Sequence, residues 1–295
     1  MKNDITMIGH ISRDIIIYDG DEVRLTGGPV IYSSAAAVRS GKKVEVVTRA
    51  SEDADKDLEG MRANGVNVIR LESEHTTSIE NIYFTPDKEK RKVTLLTRAD
   101  PFTTEFLPDT DSLIYHLAGL FRGEIPDAFI PFFAAKGKVG IDAQGLLRCS
   151  EDGRLLFRDW ISKRELLPLI TYLKTDAAEA EILTGETDRE KAAYILASWG
   201  ADEIMVTHNT EVIVLVDGTV YRAPYTPPNL SGRTGRGDTT FAAYLAWRLD
   251  HGPDESVRYA AALCSIKMEN PGPFTGTIAD VLSRMSTDLS LDGSE

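Results

Sequence analysis

Cysteine is nearly absent: the 295 residues contain two, Cys149 and Cys264. Two thiols so far apart provide neither a disulfide framework nor a metal-ligand spacing, and they suit a reducing cytoplasm. Cations are scarce as well, 33 Lys and Arg against 46 Asp and Glu, for a formal net charge of −13. A general nucleic-acid binder or a protein of anionic membranes needs a basic footprint, so neither class is expected. No apolar run approaches a membrane span, and the opening "MKNDITMIGHISRD" turns polar too soon for a secretory signal. The five histidines, His10, His75, His116, His208 and His251, show no metal-ligand spacing. Small anionic ligands stay open to such a chain if its cations gather locally.

What is present is material for a core, 42% hydrophobic residues against 27% charged, in a length that suits one large domain with or without an appendage. Short β-branched runs at 4–9, 43–50, 112–119, 138–143, 170–175, 203–208 and 211–218 read as strands. Helical patterns lie between most of them, at 29–40, 55–64, 125–135, 162–168, 177–184, 188–199, 238–250 and 254–269. This alternation predicts an α/β fold around a mostly parallel sheet. Residues 14–28 and 78–100 break the alternation and read as extended ribbons, the second turning at the polar "PDKEK". They predict a small β-sheet of residues 14–26 and 78–99, projecting from a main domain of 1–13, 27–77 and 100–295 and placed to close over a site. An edge of the main sheet is the other reading. After a Pro/Gly turn and a final helix, residues 286–295 read as a frayed tail.

The densest motif is "SGRTGRGDTTFAAYLAWRL", 231–249. Its glycines at 232, 235 and 237 approach the spacing of a nucleotide-hydrolysing P-loop, but Asp238 stands where the phosphate-binding lysine belongs, and a carboxylate cannot neutralise a phosphate. The dinucleotide fingerprint is excluded too, because the third glycine is missing and the loop lies far from the first strand. Apolar residues at 241, 242, 245, 246 and 249 mark one face of a helix whose first amides would point into the glycine loop. Such a helix start is an anion hole. A carboxylate beside it could take the proton of an acceptor hydroxyl while charge spreads over a transferring phosphoryl group. Asp238 as an ordinary helix cap is the competing reading.

"TGRGDTTFAAYLA" resembles the "DTxGAGDxFxAG" signature of the ribokinase-like (PfkB) carbohydrate kinases, and other segments follow in the matching order. "MIGHISRD" (7–14) is similar to that family's first strand and sugar-binding aspartate, residues 27–66 to its di-glycine segment with the following helix, strand and helix, and "LKTDAAEAEILTG" (173–185) to its "NxxE" element. "GIDAQGLLR" (140–148) resembles a segment of inositol-kinase-like and archaeal members. The resemblance implies a ribokinase-like three-layer α/β fold with a β lid, and an ATP-dependent, magnesium-requiring kinase of a sugar or cyclitol hydroxyl such as that of myo-inositol. By position it makes Asp238 the catalytic base and the amides of Gly235, Arg236 and Gly237 the anion hole. It places Asp14, Gly27 and Gly28 on substrate hydroxyls, with Asp142, Gln144 and Arg148 also able to reach the substrate. Asp176, at the usual asparagine position, and Glu179 would organise Mg2+ through water. Thr207, Asn209 and Arg233 would meet the nucleotide or its phosphates.

Departures from the family pattern leave alternatives open. Gly232 and Arg233 replace the first two signature residues and Arg236 its alanine, while Asn209 and Glu211 stand where nucleotide-loop glycines are absent. The two arginines could pair with phosphate oxygens, remain solvated or neutralise nearby acids. Asp142 and Gln144 could merely satisfy turn amides, and Asp176 and Glu179 could form a solvated first helical turn. The acceptor could be a nucleoside, with Tyr32 and Phe84 as walls. Other readings are a ligand sensor that has lost efficient chemistry, or an assembly protein using the exposed lid edge, which could also pair a kinase into a homodimer. His10 is the one histidine near a candidate site residue, Asp14.

Overall fold

In the computed structural model, which describes residues 2–84 and 91–292, the β-branched runs become fifteen strands in two sheets. The first eight are β1 (Asn3–Ile8), β2 (Ser12–Tyr18), β3 (Asp21–Gly27), β4 (Val44–Ala50), β5 (Asn67–Glu72), β6 (Thr77–Tyr83), β7 (Arg91–Thr97) and β8 (Ser112–Leu117). The others are β9 (Lys138–Asp142), β10 (Arg148–Glu151), β11 (Arg154–Phe157), β12 (Tyr172–Asp176), β13 (Glu203–Thr207), β14 (Glu211–Val216) and β15 (Thr219–Pro224). The larger sheet has the order β15-β14-β13-β12-β9-β8-β1-β4-β5, and the smaller β10-β11-β7-β6-β2-β3. From β13 to β5 the larger sheet is parallel throughout; β14 and β15 are added antiparallel.

Among the described residues ten α-helices fill the connections: α1 (Pro29–Arg39), α2 (Asp55–Ala63), α3 (Phe129–Ala134), α4 (Gln144–Leu147), α5 (Lys163–Leu166), α6 (Ala177–Thr184), α7 (Arg189–Ser198), α8 (Arg236–Trp247), α9 (Pro253–Met268) and α10 (Ile278–Asp292). The parallel strands are apolar on both faces, and two cores flank them. Met7, Val46, Tyr172 and Met205 pack with α1, α2, α8, α9 and α10, while Ile8, Val47, Ile141 and Val206 pack with α3, α6 and α7. The result is the expected three-layer arrangement, helix on sheet on helix.

Three hairpins turn on Asp-Gly pairs. Asp19 and Gly20, Asp152 and Gly153, and Asp217 and Gly218 all have positive φ, between 48° and 86°, as two-residue turns that match strand twist require. The first closes β2 onto β3, as the ribbon reading predicts. The other two create β10–β11 and β14–β15; β14 matches the strand read at 211–218, whereas β10, β11 and β15 are missing from the strand assignments above. The smaller sheet therefore gains the hairpin from 148 to 157 beyond the two ribbons, and β5 is a further addition to the larger sheet. The polar turn at "PDKEK" lies outside the described residues. The predicted frayed tail is corrected: α10 continues to Asp292, its buried Val281 and packed Met285 seated on the helical core and Asp288 accepting from Thr226 Oγ1 at 3.0 Å.

Candidate active site

β1 is flanked by β4 on one side and β8 on the other, so strand order reverses there. Ligands of open α/β sheets bind beyond the C-terminal strand ends at such a reversal. At that edge stand His10 after β1, Asp142 ending β9, Asp176 ending β12 and Thr207 ending β13. The start of α8 faces the same edge.

Gly235 caps α8 in the left-handed region, φ 77°, and no side chain caps this helix. Asp238 is its third residue, so its carboxylate is not the cap. The amide of Arg236 donates to Arg233 O at 3.2 Å and that of Thr239 to Gly235 O at 2.9 Å; those of Gly235, Gly237 and Asp238 find no acceptor among the described residues. Open amides at the positive end of a twelve-residue helix favour an anion. The helix is buried on all sides from Thr239 to Trp247, wedged between α1, α9 and the sheet, so its first turn is held rigidly.

Beneath this turn lies a buried cation that sequence reasoning passed over. Lys174 on β12 donates to Asp142 Oδ2 at 2.9 Å and Oδ1 at 3.1 Å, and lies 3.7 Å from Glu179 Oε2. A Cβ on Gly237 would come within 3.0 Å of its Nζ, so the ammonium sits directly below the helix start. Burial works against the charge on Lys174, but Asp142, Glu179 and Asp176 outweigh it and raise its pKa. The same burial pushes the Asp238 carboxyl up to about 6, with Asp142 adding to the rise and Lys174, Arg148 and Lys267 opposing it. A charged residue inside the apolar run "YLKT" was the available signal.

Asp142 also accepts from the Gln144 amide at 3.0 Å, so it holds the turn into α4 as well as the lysine. Asp176 and Glu179 form a reciprocal capping box, Glu179 N to Asp176 Oδ1 and Asp176 N to Glu179 Oε2, each 2.8 Å. Glu179 is buried, and burial raises its carboxyl to about 7 despite Lys174. It is therefore not part of a solvated first turn. These two carboxylates do not fit a directly ligated metal, and among the described residues no three His, Cys, Asp or Glu side chains cluster as a metal site.

Where the smaller sheet meets α1, a Cβ on Gly27 would lie 2.6 Å from Asp14 Oδ2, and one on Gly28 would meet His10 O at 2.7 Å. Gly27 leaves room for the Asp14 carboxylate, and Gly28 lets the entry to α1 pass close to the backbone of residues 10–12. Burial and the fields of Asp14, Asp238 and Tyr83 all raise the Tyr32 phenol, which places these four groups around one space. Arg236 reaches Asn209 Oδ1 at 3.2 Å, and Arg148 lies over the Phe121 ring at 5.5 Å. Thr207 is turned inward, donating to Thr175 O at 3.3 Å. The structure thus gathers Asp238, Asp142, Asp176 and Glu179 around Lys174, with Arg148 near enough to act on Asp238 and with Asp14 and Asp238 both acting on Tyr32. His10 is buried in the junction between the sheets, 3.2 Å from Glu124 Oε1.

The pfkB family carbohydrate kinase profile matches residues 2–279. The chain belongs to the PfkB family. This PfkB kinase is 36% identical, with a TM-score of 0.86, to a pyrophosphate-dependent kinase of the ribokinase family solved with a pyrophosphate analog and myo-inositol; the match covers 95% of this chain and 99% of that one. The cytidine kinase of Thermococcus kodakarensis is 26% identical over 258 residues, 82% of this chain and 87% of its own. The ribokinase of Arabidopsis thaliana, complexed with ribose and ATP, shares the fold at 19% identity and a TM-score of 0.77 over 97% of this chain and 99% of its own. No helix among the described residues is long and apolar enough to cross a membrane.

Proposed function

We propose that this PfkB kinase transfers a phosphoryl group from pyrophosphate to a hydroxyl of a cyclitol or sugar, myo-inositol being the first candidate. The observation that carries the reading is Asp238: a half-buried carboxylate in the first turn of α8, free of capping duty and flanked by open amides. Asp238 takes the acceptor proton, the acceptor oxygen forms the new P–O bond, and the bridging P–O bond of pyrophosphate breaks to release phosphate. The amides of Gly235, Gly237 and Asp238, backed by Lys174, stabilise the charge on the transferring group. Asp14 and the glycines at 27 and 28 hold the acceptor, with Gln144 and Arg148 at its far side. Any magnesium would arrive on the donor's own oxygens, since Asp176 and Glu179 are engaged with each other.

Pyrophosphate is favoured over ATP, the donor implied by family resemblance, on two grounds besides the 36% relative. Arg233 and Arg236 stand in the signature loop, and arginine matches phosphate oxygens two at a time. The β13–β14 connection is a short turn closed by His208 N on Glu211 O at 2.9 Å, and Glu211 is paired with Arg189 at 2.6 Å, leaving little to embrace a base. A nucleoside acceptor is disfavoured because the Tyr32 ring is packed under Gly235 and Phe84 is 63% exposed.

The test is product formation across pyrophosphate and ATP as donors and cyclitols, sugars and nucleosides as acceptors. Turnover with pyrophosphate and a cyclitol is expected to rise as pH climbs through about 6, where Asp238 loses its proton. Asp238→Asn should lower kcat by roughly 10³-fold, the scale of a lost general base, while retaining donor binding. Undiminished turnover in that variant sinks the assignment of the base, and turnover with ATP alone sinks that of the donor.

A further inference from the structure

The loop that leads into the anion hole is held by a lysine that the mechanism above does not use. Lys267, near the end of α9, is 3% exposed, and its ammonium donates to the carbonyls of both Gly232 and Thr234. Two carbonyl dipoles aimed at one point repel each other unless a cation lies between them. The rest of the loop is laced to the same helix end, with Gly232 N on Met268 O at 2.8 Å and Ser231 Oγ on Glu269 O at 2.6 Å. A Cβ on Gly232 would meet Asn270 O at 1.8 Å, so only glycine allows the loop to lie this close. The Lys267 ammonium is also 5.1 Å from the centre of the Tyr32 ring, which itself lies against Gly235. One side chain therefore joins α9, the loop and α1 directly behind the open amides.

We propose that Lys267 is a positioning residue, an internal tethered cation that fixes residues 232–235 so that the amides of Gly235, Gly237 and Asp238 point at the donor phosphate. The donor half of this statement rests on the function proposed above; the bracing of the loop does not. Because the cation is covalently attached, the loop keeps its shape before any ligand arrives, and no ordering of the loop is charged against binding. The groups facing it are Cys264 on its own helix, Asp238 from α8 and Tyr32 from α1. Burial lowers its pKa to about 8, against the opposing pull of Cys264 and Asp238. Loss of the proton removes the charge between the two carbonyls, so turnover should fall as pH rises past that point.

Two variants test the assignment, Lys267→Ala, which leaves a channel, and Lys267→Met, which fills it without charge. Amide hydrogen exchange over 232–237, read at the bonded amides of Gly232 and Arg236, and calorimetric binding of pyrophosphate are the readouts. In both variants exchange should quicken and pyrophosphate affinity should drop about tenfold or more, as expected when donors are misplaced by around an ångström. Ethylammonium should restore both properties to Lys267→Ala but not to Lys267→Met, a rescue that a purely packing role would not produce. Wild-type protection over 232–237 in a folded Lys267→Met protein overturns the proposal, as does Lys267→Ala that loses protection and is unmoved by ethylammonium. Failure of the wild-type protein to bind pyrophosphate would instead defeat the donor reading, and the exchange measurement would still judge Lys267.

Discussion

Lys174 shows how one buried charge organises its surroundings. Two carboxylates, Asp142 and Glu179, lie within hydrogen-bonding or ion-pairing reach of it, and all three side chains are nearly inaccessible to water. Such a pair adds little net stability when complete, because each ion had to leave water, but removing one member leaves an uncompensated charge. Lys174→Met should therefore cost about 3–5 kcal/mol in urea unfolding at pH 8. The loss should shrink at acid pH. Glu179 in the folded chain holds its proton up to about 7, above its ordinary 4.5, and without the lysine it would hold it higher still. Stability from such a raised carboxyl is present below its unfolded pKa and is lost as pH rises through the folded one, so acid conditions neutralise the orphan. Equal losses at pH 8 and at pH 5 would show that the lysine acts through packing alone. At this scale the candidate site was largely legible, because Asp238, Asp142 and Glu179 each sit in a motif with fixed spacing. Lys174 was marked only as a charge inside an apolar run and Lys267 not at all, since nothing local reveals which oxygen atoms a lone lysine will meet in the fold.

The start of α8 is where a residue-level constraint becomes an element-level one. The apolar positions 241, 242, 245 and 246 were readable as a helix face, yet the helix begins at Arg236, two residues before the predicted start, and is buried all round. The earlier start follows from Gly235, whose left-handed φ of 77° lets the chain enter the helix with two helical residues, Arg236 and Gly237, ahead of Asp238. That geometry turns a would-be cap into an inward-facing acid. A Cβ at Gly235 would lie 2.2 Å from Tyr32 Cγ, inside the ring's own volume. Gly235→Ala should thus lose roughly 1–3 kcal/mol from strain and overpacking and should abolish anion binding at the helix start. Adding Tyr32→Ala removes the clash but not the left-handed backbone. The double variant should recover part of the stability by thermal unfolding while pyrophosphate binding stays weak. Full recovery of binding would mean that the ring, and not the backbone conformation, sets the anion hole. The Asp-Gly pairs teach a related lesson: Asp152-Gly153 and Asp217-Gly218 were usable hairpin signals, but β10 and β11 are only four residues each, too short for alternation to stand out.

Across the whole molecule, the chain leaves the larger sheet for the smaller one three times: after β1, after β5 and after α4. The segment after β8 binds several of these crossings together. Glu124 accepts the Leu120 amide at 2.7 Å through Oε2 and faces His10 through Oε1, while its own carbonyl accepts from Phe102 N at 2.7 Å. His10 Nε2 meets Asp100 O at 3.0 Å, its ring is stacked on Phe102, and Arg122 N reaches Arg148 O at 2.7 Å. His10, at the centre of this junction, lies between β1 and β2, the strand that carries Asp14. Sequence periodicity could identify the two ribbons of the smaller sheet but not this junction, because its contacts join residues 10, 100, 102 and 124, which lie in irregular loops far apart in the chain. Glu124→Ala leaves the Leu120 amide and His10 facing a void, and each buried polar group without a partner costs about 1–3 kcal/mol. A total near 3 kcal/mol should lower the melting temperature by at least about 5 °C for a chain of this size. If the junction sets the distance between acceptor and base, kcat should fall by about tenfold or more, with pyrophosphate affinity little changed, because the anion hole belongs to the larger sheet's helices. A variant that melts early but turns over at the wild-type rate would separate the two roles, leaving the junction to stability and the alignment of Asp14 with Asp238 to the packing of α1 against α8.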